Sequence, residues 1–266
     1  MKNLVLVKFG GSVITDKAMA FTAKPGTIAR LGKEALAFTK KNPGQLVLAH
    51  GGGSFPHQHA HEFETHKGFI QPDSKLGFAK VQDAASTINR IVIDNLLKAG
   101  LHAVSLQTSA GVIARDSRIV NWDLSALKLF LKEGFVPVPF GDAVLDEKQG
   151  CSIISADEIL FYLSKELKPA RVIMVGNVDG VFENFPPAKG EAPIAVLNRA
   201  RFQEMKYNVK GAAGKDVTGG MLHKLERLID VAQMGVEVQI INGDAPGRFE
   251  DALLGKKVMG TTITRD

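Results

Sequence analysis

Cysteine is nearly absent from the sequence, because Cys151 is the only one among 266 residues. An intramolecular disulfide is therefore impossible, and a reducing compartment such as the cytoplasm is expected. Long hydrophobic runs are also missing. The apolar run Leu4–Val7 is cut off by Lys8, well short of a signal-peptide core. No stretch approaches the roughly 18 apolar residues that a membrane helix needs, so we expect a soluble, cytoplasmic protein that does not act at a membrane.

The sequence also lacks clusters of charge. Lysine and arginine number 33 against 28 aspartate and glutamate residues, which gives a formal net charge of +5. The basic residues are spread along the chain, and no aromatic signature of an RNA-binding module accompanies them. We therefore expect no nucleic-acid partner, and a small anionic substrate accounts for the excess of positive charge.

Short apolar runs alternate with longer segments of helical period, which is typical of βαβ units around a mostly parallel sheet. Several runs are continuously hydrophobic, as expected for strands covered on both faces. The expected strands are Leu4–Phe9, Gln45–His50, Ala103–Leu106, Val136–Phe140, Arg171–Gly176 and Glu237–Asn242. The expected helices are Thr27–Lys41, Leu76–Leu97, one that Ser155 caps with Glu158 three residues on, and Thr218–Met234.

Two segments interrupt this alternation. Asp142–Cys151 is predicted to form a hairpin that turns at Asp146–Gly150. Asn184–Pro193, with three prolines, is predicted to be a surface loop. Neither segment is long enough to link two domains, and the sequence contains no repeat. We therefore predict a single domain that spans residues 1–266.

Three glycine-rich segments lie where a strand gives way to a helix or where a helix begins. They are Lys8–Ser12, His50–His57 and Asp216–Met221, the last followed by Lys224. Glycine lets successive backbone N–H groups converge on a phosphate oxygen, and a helix N-terminus adds a partial positive charge. Each segment taken singly could be no more than a tight turn. Since all three are accompanied by a lysine or histidine, together they favour a phosphate site.

None of the three segments fits the P-loop pattern or the dinucleotide-binding pattern. In their order along the chain, Lys-Phe-Gly-Gly-Ser, His-Gly-Gly-Gly and Asp-Val-Thr-Gly-Gly-Met-x-x-Lys resemble instead the motifs of the amino acid kinase superfamily. The resemblance covers nearly the whole chain. It implies an α/β fold, namely a three-layer α/β/α sandwich with a mostly parallel central sheet. In that fold ATP binds towards the C-terminal half and the acceptor towards the N-terminal half.

The segment His50–His57 indicates which group of the superfamily the chain resembles. His57 stands four residues after the glycine triplet, as in the isopentenyl phosphate kinases of this superfamily, and Lys17 matches a second lysine of that group. The resemblance implies ATP-dependent phosphorylation of isopentenyl phosphate to isopentenyl diphosphate. Fosfomycin kinases, which act on a phosphonate, share several of these features and remain an alternative. A nucleotide-binding protein of the same fold without catalytic activity is another.

The resemblance also implies roles for individual residues. Those expected to act in catalysis are Lys8, Lys17, His57, Asp157 and Lys224. Those expected to contact ATP are Lys8, Gly10, Gly11, Ser12, Gly53, Asn177, Asp179, Gly220 and Lys224. Those expected to bind the acceptor and its isoprenoid tail are Gly52, Gly53, Ser54, His57, Ala156, Phe78, Val81, Ile88 and Ile154. Each apolar residue of this set could equally be part of ordinary core packing.

The implied chemistry needs no general base, because an acceptor phosphate already carries an anionic oxygen at neutral pH. Catalysis then depends on alignment and on neutralising the charge of two anions, which suits the lysines and a hydrogen bond from His57. The expected cofactors are ATP and Mg²⁺, with the ion held mainly by phosphate oxygens and water rather than by protein ligands. The family commonly forms homodimers, which we expect here too.

Two positions depart from the family pattern. Asn177 stands where the family often has an aspartate, so a contact to the nucleotide would lose a charge. Pro56 replaces a glycine before His57, and proline has no backbone N–H to donate. The spacing of two between His57, His59 and His61 is wrong for a single helical face, and the histidines near His57 are expected to be surface residues without a role in the site. They are His59, His61 and His66.

Overall fold

The computed structural model describes residues 3–16, 18–184, 187–211 and 219–265, without the side chains of 206–211 and 219–223. Its strands are β1 (Val5–Phe9), β2 (Leu46–His50), β3 (Ala103–Leu106), β4 (Val112–Arg115), β5 (Arg118–Trp122), β6 (Val136–Pro139), β7 (Asp142–Asp146), β8 (Gly150–Ile154), β9 (Arg171–Gly176), β10 (Val196–Leu197), β11 (Glu237–Asn242) and β12 (Gly260–Ile263). Its helices are α1 (Gly11–Ile14), α2 (Pro25–Thr39), α3 (Pro56–Glu62), α4 (Ser74–Lys98), α5 (Ser125–Lys132), α6 (Ala156–Leu167), α7 (Arg199–Gly211), α8 (Gly219–Gln233) and α9 (Arg248–Leu253). Within these ranges no helix combines the length and the apolar character needed to cross a bilayer.

The main sheet has the strand order β10-β12-β11-β9-β1-β2. A bridge between His50 and Phe140 continues it from β2 to β6, which pairs with β3. Its strand pairs are parallel except for β11 and β12. A smaller sheet has the order β5-β4-β7-β8. The predicted mostly parallel α/β architecture is therefore confirmed.

Helices cover both faces of the main sheet, because its strands present apolar side chains alternately to two cores. On β1, Leu6 points into one core, which α5, α6 and α8 complete. Val5 and Val7 point into the other core, which α2, α4 and α9 complete. The result is the expected three-layer sandwich.

Most predicted elements are confirmed within a few residues. The predicted hairpin is formed by β7 and β8, which pair antiparallel with Asp146 opposite Gly150. Ser155 caps α6, and its hydroxyl accepts a hydrogen bond from the Glu158 N–H at 3.2 Å. The sequence patterns did not predict β4, β5, β10, β12 or the helices α3, α5, α7 and α9. These elements are short or weakly periodic, so local preference alone does not specify them. Thr218, the predicted start of the last long helix, lies outside the described residues.

A buried carboxylate joins the two hairpins of the smaller sheet. Asp146 accepts hydrogen bonds from the backbone N–H of Asp116 at 3.1 Å and of Ser117 at 2.9 Å, in the β4–β5 turn. It also accepts from the N–H of Lys148 at 2.9 Å, in the β7–β8 turn. Burial raises the pKa of Asp146, but these donors outweigh it and the pKa is lowered overall. The carboxylate therefore fixes one turn relative to the other.

A second buried carboxylate, Asp142, begins β7. It accepts hydrogen bonds from the backbone N–H of Ser109 at 3.2 Å and of Ala143 at 2.9 Å. Burial raises the pKa of Asp142 to about 6, against the opposing effect of these hydrogen bonds. Asp142 therefore holds the turn around Ser109 at a cost that depends on pH.

We predict that Asp142→Asn changes the pH dependence of folding stability. In the folded protein Asp142 takes up a proton below about pH 6, whereas in the unfolded chain it does so only near pH 3.8. The buried charge therefore lowers the folding stability of wild type at neutral pH, and this cost disappears as the pH falls from about 6 towards 3.8. Asparagine cannot ionise. Relative to wild type, the free energy of unfolding of Asp142→Asn should therefore rise between about pH 4.5 and about pH 7.5, measured by urea titration.

The control is Val144→Ala on the same strand, which changes buried packing without changing a titratable group. Its stability cost relative to wild type should be the same at both pH values. An Asp142→Asn difference that does not vary with pH would show that the Asp142 carboxylate does not titrate as described.

Candidate active site

A cleft of ≈ 1230 Å³ lies over one edge of the main sheet. Since β1, β2 and β9 run parallel, the turns that follow them meet at this edge. These turns contribute Gly10–Ser12, Gly51–Gly53 and Gly176–Val178 to the wall of the cleft, and the start of α6 adds Ser155–Glu158. The first two predicted glycine segments therefore reach one site.

The two glycine turns touch each other through their backbones. A Cβ at Gly11 would lie 2.6 Å from the Cα of Gly53, and Gly53 has a φ of +56. Thr15 links the turns further, since its hydroxyl donates to the Gly11 carbonyl at 2.7 Å and accepts from the Ser54 N–H at 3.1 Å. Gly10 is tied to β9, because its N–H donates to the Val175 carbonyl at 2.8 Å. Glycine is required here by close approach as well as by conformation.

His57 is the second residue of α3, where it is exposed and lines the cleft. Pro56 is the first residue of that helix. The first N–H of a helix has no partner within the helix, so a proline costs no intrahelical hydrogen bond there. Pro56 therefore begins the helix that presents His57 without the loss of an intrahelical hydrogen bond.

The other histidines of this segment do not line the cleft. His59 packs near Phe21, with ring centroids 5.7 Å apart, and its Nδ1 lies 3.3 Å from a carboxylate oxygen of Glu62. His61 and His66 are exposed. In the part of the chain that the structure describes, no group of histidine, cysteine and carboxylate side chains is arranged to hold a metal ion.

Lys8 and Asp157 form an ion pair in the floor of the cleft. The Lys8 Nζ lies 2.5 Å from Oδ1 of Asp157, and the two side chains are 12% and 11% exposed. Lys8 comes from β1 and Asp157 from the first turn of α6, where a carboxylate is also stabilised by the helix dipole. The structure therefore brings together two of the predicted catalytic residues and fixes the lysine at the end of its strand.

The predicted nucleotide contacts fall into two groups. Asn177 lines the cleft and accepts a hydrogen bond from the Ser12 hydroxyl at 3.0 Å. Asp179 instead pairs with the Arg248 guanidinium and accepts from the Asn242 amide at 3.3 Å. The hydrogen bond from Arg248 holds the pKa of Asp179 below its usual value, with a smaller contribution from Asn242. Asp179 thus joins the loop after β9 to the start of α9 and does not border the cleft.

The C-terminal glycine segment is only partly described. Lys224 is exposed on α8 and lines the cleft, as predicted. Gly220 lies in the first turn of the same helix. Lys17 and the segment 212–218, including Asp216, lie outside the described residues.

A basic rim on the cleft was missed by sequence reasoning. Arg118, on the β4–β5 hairpin, lies 2.8 Å from Glu158, and Arg227, on α8, lies 3.3 Å from the same carboxylate oxygen. Both arginines and Arg199 line the cleft. Burial raises the pKa of Glu158, and Arg118 opposes this shift. No local signal could have found these residues, because the hairpin and α8 meet only in the folded chain.

An apolar cluster lies beside His57. It consists of Ala60, Val81 and Ala143, with Phe78 and Ile153 packed against them. Of the other predicted tail contacts, Ile154 and Ala156 line the cleft from the side of the main core. Ile88 lies in the core on the opposite face of the sheet and is fully buried. The structure therefore brings Phe78 and Val81 together but not Ile88.

Comparison with known proteins shows the family of the chain. The sequence model of the amino acid kinase family matches residues 3–242. The isopentenyl phosphate kinase of Methanothermobacter thermautotrophicus is 37% identical over 269 residues, covering 98% of this chain and 99% of that protein. The isopentenyl phosphate kinase of Methanocaldococcus jannaschii is 34% identical over 269 residues and covers 98% of both chains.

Solved structures agree with the fold. An X-ray structure of isopentenyl phosphate kinase superposes with a TM-score of 0.83 at 34% identity, covering 98% of this chain and 100% of that chain. The chain belongs to the amino acid kinase family.

Proposed function

We propose that this chain transfers the γ-phosphoryl group of ATP to isopentenyl phosphate and so forms isopentenyl diphosphate. The observation that carries the proposal is the composition of the cleft wall, which combines Lys8, Lys224, His57 and the glycine turns with two members of the apolar cluster, Ala60 and Ile153. The same cleft therefore offers groups that suit anions and an apolar surface that suits a short hydrocarbon. Two relatives that are 37% and 34% identical to this chain are named for the same acceptor.

The residues of the cleft would have different roles in the transfer. The acceptor phosphate supplies its own nucleophilic oxygen, so the protein has to align two anions and neutralise their charge. Lys8 is held at the cleft floor by Asp157, 2.5 Å away, and cannot swing freely. His57 and the backbone of Gly52 and Gly53 line the same cleft, where they would hold the acceptor phosphate.

The nucleotide would contact Gly10–Ser12, Asn177 and Lys224, which line the cleft, and Lys17 and Gly220 complete the predicted set. Mg²⁺ fits a site with few protein ligands, since it usually keeps water and binds substrate phosphates. Bound there, it would neutralise phosphate charge. A homodimer in the cytoplasm remains part of the proposal, supported by the family resemblance and by the lone cysteine.

The first prediction from the proposed function concerns the choice of acceptor. With Mg-ATP, isopentenyl phosphate should support fast, saturable release of ADP, because its phosphate suits the cationic and backbone groups of the cleft and its tail suits the apolar part of the cleft wall. Dimethylallyl phosphate and fosfomycin are the matched comparisons in the same coupled assay. Fosfomycin should be a poor acceptor, since it leaves the apolar cluster uncovered.

Turnover with fosfomycin alone would replace the proposal by a phosphonate kinase. Nucleotide binding without turnover of any of the three acceptors would support a non-catalytic member of the family.

His57 provides the second prediction. His57→Ala should lower kcat/KM for isopentenyl phosphate by about 10²- to 10³-fold, the usual effect of removing one positioned donor. The melting temperature should be unchanged because the side chain is exposed. His61→Ala, on the same helix but away from the cleft, is the control and should behave as wild type. Equal kcat/KM values for His57→Ala and His61→Ala would show that His57 does not bind the acceptor.

Gly53 provides the third. In Gly53→Ala the new Cβ would lie 2.1 Å from the Thr15 hydroxyl, at a φ of +56. We expect the glycine turns to separate and activity to fall by at least about 10²-fold, as for a misplacement of about 1 Å. Gly26→Ala is the control, since nothing lies within 4 Å of its Cβ position in α2. Gly26→Ala should keep full activity. Full activity in Gly53→Ala as well would show that the contact between the two turns does not matter for activity.

A further inference from the structure

A chain of buried and half-buried polar side chains ends at the glycine triplet. His50, the last residue of β2, is fully buried, and its Nδ1 lies 3.0 Å from the carbonyl oxygen of Gly51. Its Nε2 lies 3.0 Å from the side-chain amide of Asn89, on α4. The Ser105 hydroxyl on β3 donates to the Asn89 side-chain oxygen at 2.6 Å. Three elements from different parts of the sequence therefore converge on one peptide group.

The direction of every hydrogen bond in this chain is determined. Burial lowers the pKa of His50 to about 4, against the opposing effect of the Gly51 carbonyl, so the ring is neutral near pH 7. A carbonyl oxygen only accepts, so Nδ1 carries the proton and Nε2 accepts from the Asn89 amide. The ring also stacks on Phe140, with centroids 5.5 Å apart and an angle of 8°. The imidazole is thereby fixed in orientation and in tautomer.

This anchor determines where the next N–H points. In a trans peptide the C=O of one residue and the N–H of the next point in opposite directions. Holding the Gly51 carbonyl towards the buried ring therefore turns the Gly52 N–H the other way, towards the cleft that Gly52 lines. Among the hydrogen bonds of the described residues, none is donated by the N–H of Gly52 or Gly53. Without the anchor, a run of glycines would leave this peptide free to rotate.

We propose that His50 is a positioning residue, which holds the Gly51–Gly52 peptide so that the Gly52 N–H faces the acceptor phosphate. The proposal rests on the proposed function, since it assigns the acceptor phosphate to this side of the cleft. Asn89 and Ser105 fix the imidazole, and the imidazole fixes the peptide. His50 itself touches no substrate.

Two amide variants separate positioning from packing. The side-chain nitrogen of asparagine takes the place of Nδ1, whereas that of glutamine takes the place of Nε2. His50→Asn keeps the donor to Gly51 and should retain most of the acceptor kcat/KM. His50→Gln loses that donor and should lower it by about 10- to 100-fold, with the KM for ATP unchanged.

The control is Asn95→Ala, which removes an amide from α4 whose bond goes to the Ile91 carbonyl of the same helix. It should leave both KM values as in wild type. Equal losses in His50→Asn and His50→Gln, or equal effects on the two substrates, would mean that His50 only fills space, and would overturn the proposal.

A measurement on the wild-type chain needs neither a variant nor turnover. The ¹⁵N shifts of the His50 ring, recorded by long-range ¹H–¹⁵N NMR, should show a protonated Nδ1 and an unprotonated Nε2. The opposite tautomer would overturn the proposal even if the enzyme phosphorylates isopentenyl phosphate.

Titration with inorganic phosphate tests the positioning role of His50 even if isopentenyl phosphate is not a substrate. The Gly52 amide resonance should then shift in wild type and in His50→Asn, but not in His50→Gln. Identical responses in all three proteins would exclude a positioning role.

Discussion

The glycine turns that follow β1 and β2 pack against each other through their backbones, and the cleft depends on this contact. Parallel neighbouring strands stand only about 4.8 Å apart, so the turns that follow them are crowded from the start. Glycine at positions 11 and 53 lets them pass at contact distance. Lys8 precedes one turn and His57 follows the other. The distance between the cation of the floor and the helix that presents the histidine is therefore fixed by the packing of main chain on main chain.

The electrostatics of the cleft depend on the start of one helix. Asp157 and Glu158 are consecutive residues in the first turn of α6, which Ser155 caps. Asp157 pairs with a lysine from β1, and Glu158 pairs with arginines from β5 and α8. Cations from three separate elements are thus ordered around a single helical turn. Since the same turn carries the positive end of the helix dipole, the region stays favourable for anions although two carboxylates lie within it.

The sequence was sufficient where local pattern and tertiary role coincide. The buried parallel strands are recognisable as hydrophobic runs, and the glycine segments that follow β1 and β2 were expected at one site and do line one cleft. It was insufficient where a residue's role depends on distant partners, as for Arg118 and Arg227. Helical period gave the apolar stripe of α4, but not that Val81 would lie in the small cluster beside α3 and Ile88 in the core that α2, α4 and α9 complete. One stripe serves two cores because α4 is long enough to pass from one to the other.

Pro56 restricts which substitutions the glycine turn after β2 can accept. A Cβ at position 52 would lie 2.2 Å from the proline ring, so a side chain at 52 and a proline at 56 exclude each other. A substitution at 52 becomes sterically possible only after the proline has been replaced. The two sites are therefore epistatic, and the order in which they change determines which variants of this loop can be reached.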